Sequence, residues 1–249
     1  MFAYRDAVAA TSTSSRVEVA FTDSSLDLQG MRPDFPADLA RLEAEVGLPL
    51  ARMHQVHGDD VHVVTEVPAT GPIGVEAWPE ADAQVTTLPD VALMVRVADC
   101  VPVLLADPDA GVVAAVHAGR RGVALGVVTR AVEAMRRLGA TTIAGWIGPH
   151  VCGSCYEVPA EMRAEVSARE PGTASTTRWG TPALDLGAGV RAQLARAGAT
   201  VVEVEGCTLE ERRFHSHRRD GADAGRFAGL VWLAGADVMR IPGPDRRIP

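Results

Sequence analysis

An α+β fold, built as a single domain with a mixed, largely antiparallel β-sheet flanked by helices, is what the sequence predicts. Three observations predict it. Short β-branched runs outnumber amphipathic stretches, the two do not alternate strictly as a doubly wound sheet requires, and two of the runs flank a four-residue turn that suits a hairpin. A chain of 249 residues is long enough to bury about 70–75% of its unfolded surface without disulfide staples. With 47% apolar and 22% charged residues the composition is globular rather than disordered or fibrous. Only 5 Phe, 4 Trp and 2 Tyr occur, so aliphatic side chains must fill the core.

Taken in order, the chain begins with a stretch expected to be ragged over residues 1–15, Ser/Thr-rich at Thr11–Ser15. A helix is expected over Pro36–Val46, where apolar residues recur at three-to-four spacing and Gly47 stands at the C′ position. Strands follow at Val61–Val64, Val91–Val97, Val101–Ala106 and Val112–His117, each closed by Gly, Pro or Asp turn chemistry. Helices are then expected over Gly122–Leu138, Pro159–Ala168 and Gly187–Ala197, with Gly139 and Gly198 as C-terminal stops, and a further strand at Val201–Val204. The Pro/Arg-rich end, 242–249, reads as a second ragged terminus. Neither a repeat nor a low-complexity tract divides the chain.

Net charge is −8, and all 24 basic residues are arginine. Without a lysine, neither a P-loop nor a Schiff-base mechanism is available. The acidic balance argues against general nucleic-acid affinity, which depends on neutralising phosphates. Arg5 and Asp6 interrupt the place where a signal peptide needs an apolar run, and Arg96 and Asp99 break the longest apolar stretch, Val91–Ala106. A cytoplasmic protein is therefore expected, with no membrane partner. In that compartment Cys100, Cys152, Cys155 and Cys207 are thiols or metal ligands rather than structural disulfides.

The informative stretch is Ala98-Asp-Cys100-Val-Pro102, then a strand, the turn Pro108-Asp-Ala-Gly111, another strand, and His117-Ala-Gly-Arg-Arg-Gly122. If Asp107 opposes Val112 across the turn, Pro102 faces His117 and Cys100 lies close by. A register shift of two would put Cys100 itself opposite His117. Either pairing brings thiol and imidazole within the roughly 4.5–8 Å of direct or diagonal cross-strand neighbours. Such a pair can share a metal or act as nucleophile and base. A third donor would favour metal, and His54, His57 and His62 around Gly58 all offer one; spacing does not choose among them. One cysteine and two histidines suit zinc and leave a fourth position open, as catalytic sites do. The plainer reading is a small buried thiol and a hydrogen-bonded core histidine.

Gln55-Val-His57-Gly, Ala81-Asp-Ala, Ala98-Asp-Cys100-Val-Pro, His117-Ala-Gly-x-Arg121-Gly and Ile147-Gly-Pro resemble the ordered motifs of the YfiH family, also called the laccase-domain or multicopper polyphenol oxidase family. Tyr156-Glu-Val, Asp185-Leu, Cys207-Thr and Ser216-His-Arg-Arg-Asp220 continue the series, so the resemblance spans about Val19 to Leu233. It implies a zinc-binding purine nucleoside phosphorylase acting on adenosine, inosine and methylthioadenosine with phosphate, and an additional adenosine deaminase activity. It implies metal ligands at His57, Cys100 and His117. Copper stands as the alternative to zinc, and a monomer or homodimer is expected. The chain also departs from the family pattern. Phe21-Thr-Asp-Ser-Ser-Leu26 is shortened and lacks an arginine and a glycine pair, and Arg120 replaces the usual tryptophan.

Phosphorolysis needs an anion held beside the anomeric carbon, a task of charge and orientation. Arg121, at the start of an expected helix, suits it; the alternative is a solvated arginine paired with a carboxylate. Arg218 and Arg219 read as surface ion pairs. For deamination, a metal-activated water needs a proton shuttle, and Asp99 is the nearest carboxylate in sequence, though fixing the turn before Cys100 is its preferred role. His-x-Glu with Pro-Cys-x-x-Cys is absent, as is His-Glu-x-x-His. Cys152-Gly-Ser-Cys155 lacks a second Cys-x-x-Cys and reads as two ordinary thiols, while His215-Ser-His217, as a lone His-x-His pair, gives little support to multicopper chemistry. Two rival functions remain: a cysteine hydrolase using Cys100 with His117, with cell-wall precursors as candidate substrates, and an interaction module in which the metal is only a clip.

Overall fold

A computed structural model describes residues 1–12, 15–68 and 77–234. In chain order the elements are β1 (Phe2–Ala9), β2 (Arg16–Thr22), α1 (Phe35–Val46), β3 (Leu50–Ala51), β4 (Val61–Val63), β5 (Ala83–Thr86) and β6 (Ala92–Val97). Next come β7 (Val101–Asp107), β8 (Val112–Ala118), α2 (Arg120–Leu125), α3 (Val127–Arg137), β9 (Ala144–Ile147) and α4 (Ala160–Arg169). The series ends with β10 (Ala174–Thr176), β11 (Pro182–Leu184), α5 (Leu186–Arg196), β12 (Thr200–Glu203), α6 (His217–Asp220) and β13 (Phe227–Ala234).

The α+β expectation holds, with the strands divided between two principal sheets rather than gathered in one. Five strands run in the order β1-β2-β13-β6-β3 and six in the order β12-β9-β7-β8-β5-β4. Most neighbours are antiparallel; β3 with β6, β4 with β5 and β9 with β12 are parallel. The inner faces pack Val19 and Phe21 of β2, Leu93 and Val95 of β6 and Val231 of β13 against Leu104 of β7, Val113 of β8 and Trp146 of β9. On the outer face of the six-stranded sheet lie α3 and α5, contributing Val128, Val132, Val190 and Leu194. Helix α1 covers the other sheet with Leu39 and Leu42. Each such side chain taken from water contributes roughly 1.5–3 kcal/mol, so the layered order is set by apolar burial.

Side-chain alternation along β7 and β8 positions the functional residues. Val101, Val103 and Leu105 face the helices, as do Val112, Ala114 and Val116, while Leu104, Ala106, Val113 and Ala115 face the opposite sheet. By the two-residue period, Pro102 and His117 face inward as well, at the open end of the sandwich. The observed register pairs Asp107 with Val112 and Pro102 with His117, which is the unshifted alternative of the two considered from sequence.

Two expectations are corrected. Phe2–Ala9 is a strand paired along β2, and the turn after it is anchored where Thr11 and Ser12 donate to Asp109, so this part of 1–15 is tied down by ladder and side-chain hydrogen bonds. The helix expected over Gly122–Leu138 is two helices, because Gly126 adopts φ 86° between them. Gly47, Gly139 and Gly198 do take positive φ as helix stops. The expected ragged end 242–249 lies outside the described residues.

Candidate metal centre

Cys100 precedes β7 and His117 is the penultimate residue of β8, so the hairpin register alone brings them together. The third participant comes from the loop before β4. Gln55 holds that loop against β6: its Nε2 donates to the Arg96 carbonyl at 2.8 Å and its Oε1 accepts the Arg96 amide at 3.0 Å, as a neighbouring strand would. His57 then turns at φ 62°, a left-handed conformation that a non-glycine residue adopts only when its surroundings enforce it. The enforcing group is Asp82. Its carboxylate, fully buried, accepts the amides of Val56 at 3.1 Å, His57 at 2.9 Å and Gly58 at 2.6 Å.

Asp82 also lies 2.7 Å from His117 Nδ1. That contact fixes the proton on Nδ1 and directs Nε2 away from the carboxylate. Burial acts to raise the Asp82 carboxyl, but the His117 contact and the amides of Gly58 and Val56 outweigh it and hold it below the usual carboxylate range. His57 Nε2 lies 3.7 Å from Cys100 Sγ. One donor atom from each of His57, Cys100 and His117 falls within 4.8 Å of the others. Burial opposes ionisation of Cys100, yet His117 and His57 together bring the thiol down to about 6. His117 moves the opposite way: burial disfavours its charge, but Cys100 and Asp82 raise it to about 9. The donor set therefore favours the thiolate form that binds a metal.

Gly119 lets this assembly close. A Cβ there would stand 2.6 Å from His57 Cδ2 and 3.3 Å from Cys100 Sγ. The three donors open into a cleft of about 760 Å³. Five arginines line it: Arg96, Arg120, Arg121, Arg218 and Arg226. Among the described residues none of the five forms an ion pair with a carboxylate. Arg96 is brought down to about 10 by burial, with repulsion from Arg226 and Arg52 adding to it.

A family model described as "Multi-copper polyphenol oxidoreductase laccase" matches residues 15–234. The chain belongs to this laccase-domain family. A relative from Streptomyces griseus, purine nucleoside phosphorylase ORF3, is 52% identical over 219 residues, covering 84% of this chain and 87% of its own. Among solved structures, protein NMB0706 of Neisseria meningitidis is 30% identical with a TM-score of 0.78, over 94% of this chain and 99% of its own. Bacillus licheniformis YfiH is 25% identical with a TM-score of 0.78, over 87% and 92%.

In this laccase-domain chain, His57, Cys100, His117, Arg121 and Asp99 all line the cleft. Asp99 sits at φ 87°, its carboxylate accepting Thr208 Oγ1 at 2.6 Å and the Arg218 amide at 2.6 Å, so it holds the backbone before Cys100 and ties on the segment carrying Arg218. Of the other histidines considered, His54 lines the cleft outside the three-donor group, and His62 lies on β4 away from it. His215 Nε2 contacts the Leu26 carbonyl at 2.8 Å while His217 lines the cleft, so the two do not form a ligand pair. Arg219 pairs with Asp220 as expected; Arg218 instead faces the cleft, its guanidinium 4.5 Å over the Tyr156 ring. Asp82, Gln55 and Gly119 were not singled out from sequence. Their signal lay in the short motifs Ala81-Asp-Ala, Gln55-Val-His57-Gly and His117-Ala-Gly, whose meaning depends on β5 lying beside β8. Among the described residues no helix is long and apolar enough to cross a membrane.

Proposed function

We infer that the chain is a zinc-dependent purine nucleoside phosphorylase, acting on adenosine, inosine or methylthioadenosine with phosphate. The observation that carries this reading is the three-donor centre opening into a cleft lined by five arginines that form no ion pair with a carboxylate among the described residues. Relatives named purine nucleoside phosphorylase support the reaction class. The donor set fits the metal: one thiolate and two imidazoles, one oriented by a buried carboxylate, leave an open position toward the cleft. Zinc held by His57, Cys100 and His117 would supply a Lewis acid at the inner end of the cleft. The same position would serve the adenosine deaminase side activity. Multicopper oxidase chemistry is the less suited reading, since the sequence holds a single His-x-His pair, His215-Ser-His217.

The chain's own residues supply the rest. A cleft of about 760 Å³ is large enough for a nucleoside with phosphate. The guanidiniums, above all exposed Arg121 and Arg218, provide forked donors for the phosphate oxygens. With phosphate held, an oxygen forms its bond to the anomeric carbon as the carbon–nitrogen bond breaks, and the electron pair departs with the purine, which takes up a proton. The protein's work is orientation and charge complementarity.

Purified protein, assayed for metal, is incubated with inosine with and without phosphate, beside the His117→Ala variant. Phosphate-dependent release of hypoxanthine and ribose 1-phosphate by the wild type alone is expected. Metal-loaded protein that releases no hypoxanthine overturns the reading. The Cys100–His57 and Cys100–His117 adjacency supports a second reading, a cysteine hydrolase with His117 as base. Metal-free protein that hydrolyses an ester or amide and loses that activity on Cys100 alkylation would favour it.

A further inference from the structure

A second constellation lies behind the cleft wall and shares no residue with the first. Cys152 and Cys155 close a turn in which the amides of Cys155 and Tyr156 both bond to the Cys152 carbonyl, at 2.9 and 3.0 Å. After β12 the chain repeats the pattern with Cys207 and Glu210: the amides of Glu210 and Glu211 bond to the Cys207 carbonyl at 3.0 and 2.9 Å. The sequence therefore contains Cys-x-x-Cys and Cys-x-x-Glu, two knuckles of one geometry. A parallel bridge between His150 and Cys207 sets them against each other. One donor atom from each of Cys152, Cys155, Cys207 and Glu210 lies within 4.8 Å of the others. Ligands on a tetrahedral zinc with bonds of about 2.3 Å stand roughly 3.8 Å apart, so small side-chain rotations close the shell.

The surroundings suit a cation better than a thiol core. Cys155 and Cys207 are buried, yet the apolar cluster they belong to contains only Val151 as a further buried member. That is too little apolar area to fasten two loops. The Cys152 amide donates to Cys207 Sγ at 3.5 Å, so this sulfur already accepts a hydrogen bond from the facing turn. Arg178 bonds to both Cys155 Sγ and Glu210, placing one positive charge beside a shell that would otherwise carry excess negative charge.

We propose that Cys152, Cys155, Cys207 and Glu210 bind a structural zinc ion that clips the segment carrying Val151 and Tyr156 to the segment carrying Thr208, His217 and Arg218. Binding forms three zinc–sulfur bonds and one zinc–carboxylate bond, releases the thiol protons to solvent and changes no oxidation state. The four ligands leave no open position, so the ion is structural. Its consequence reaches the cleft, because Thr208 bonds to Asp99 and Arg218 stacks on Tyr156.

The test reads metal content and spectrum, independently of turnover. Zinc-loaded wild-type protein, passed over a chelating resin, should retain two zinc ions per chain. Cys100→Ser and the double variant Cys152→Ser/Cys207→Ser should each retain one. Cobalt titration of Cys100→Ser protein should give strong thiolate charge-transfer and tetrahedral d–d bands from the remaining site. The double variant should lose most of that thiolate intensity. If the double variant does not fold, cobalt titration of Cys100→Ser protein decides alone. The proposal is overturned if that protein shows no thiolate charge-transfer band, if it retains no zinc after the chelating resin, or if anaerobically purified protein contains a disulfide among these cysteines. Failure of phosphorolysis would leave all these readouts unchanged.

Discussion

Asp82 Oδ1 and His117 Nδ1 lie 2.7 Å apart, and the same buried carboxylate holds the loop that delivers His57. One residue thus orients two of the three candidate ligands, its Oδ1 meeting both the His57 amide and His117 Nδ1. Replacing it with asparagine keeps the volume but removes the charge. Asp82→Asn should weaken zinc binding at the His57, Cys100 and His117 centre about 10- to 100-fold, the usual cost of losing a carboxylate behind a ligating histidine. Competition with a chromophoric chelator measures it. An unchanged affinity would remove Asp82 from the centre.

Gly119 is a steric requirement of the same centre. In Gly119→Ala the new methyl would start 2.6 Å from His57 Cδ2, and exposed His57 can yield by swinging into the cleft. Zinc occupancy should therefore fall while the melting temperature of the metal-free protein stays within a few degrees of wild type. Full occupancy in the variant would show that His57 is not a ligand.

Arg121 lines the cleft as an exposed side chain with no carboxylate partner among the described residues. A charge-assisted hydrogen bond is worth about 1.5–3 kcal/mol, so Arg121→Ala should raise KM for phosphate roughly 10- to 100-fold. KM for the nucleoside should change little. Arg121→Lys should recover only part of the loss, because it keeps the charge without the fork. Equal effects on both substrates would contradict a phosphate role.

Asp107 closes the β7–β8 hairpin, accepting the Ala110 amide at 3.0 Å and the amides of Thr141 and Thr142 at 2.6 and 2.8 Å. Burial acts to raise its carboxyl, and these amides outweigh it and hold it below the usual range. Its stabilisation is therefore complete above the unfolded-chain value of about 4 and disappears as pH falls through the lower folded value. Asp107→Asn should cost about 1–3 kcal/mol at neutral pH. Urea unfolding from pH 7 down to pH 2 should show the difference from wild type shrinking only below about pH 4. A pH-independent difference would refute the assignment.

Much of the fold was legible. The helix at Phe35–Val46 and the β7–β8 hairpin follow from a clean period and a short turn, and the register placing Pro102 opposite His117 followed from counting back from Asp107 and Val112. β13 was not legible, since Phe227–Ala234 is buried at every position and shows no alternation. β1 was missed because its half-buried residues alternate weakly and it owes its order to pairing with β2.

The amino-acid order by itself determined that a thiol and an imidazole meet at one end of a hairpin, because strand register is a local consequence of turn length. It also supplied the motifs that mark the laccase-domain family, and through that resemblance His57. Only the tertiary structure decided how His57 is held, that Asp82 serves both His57 and His117, and that Cys207 and Glu210 face Cys152 and Cys155. Those relations join segments tens of residues apart, and the packing of two sheets, not any local propensity, sets the distances between them.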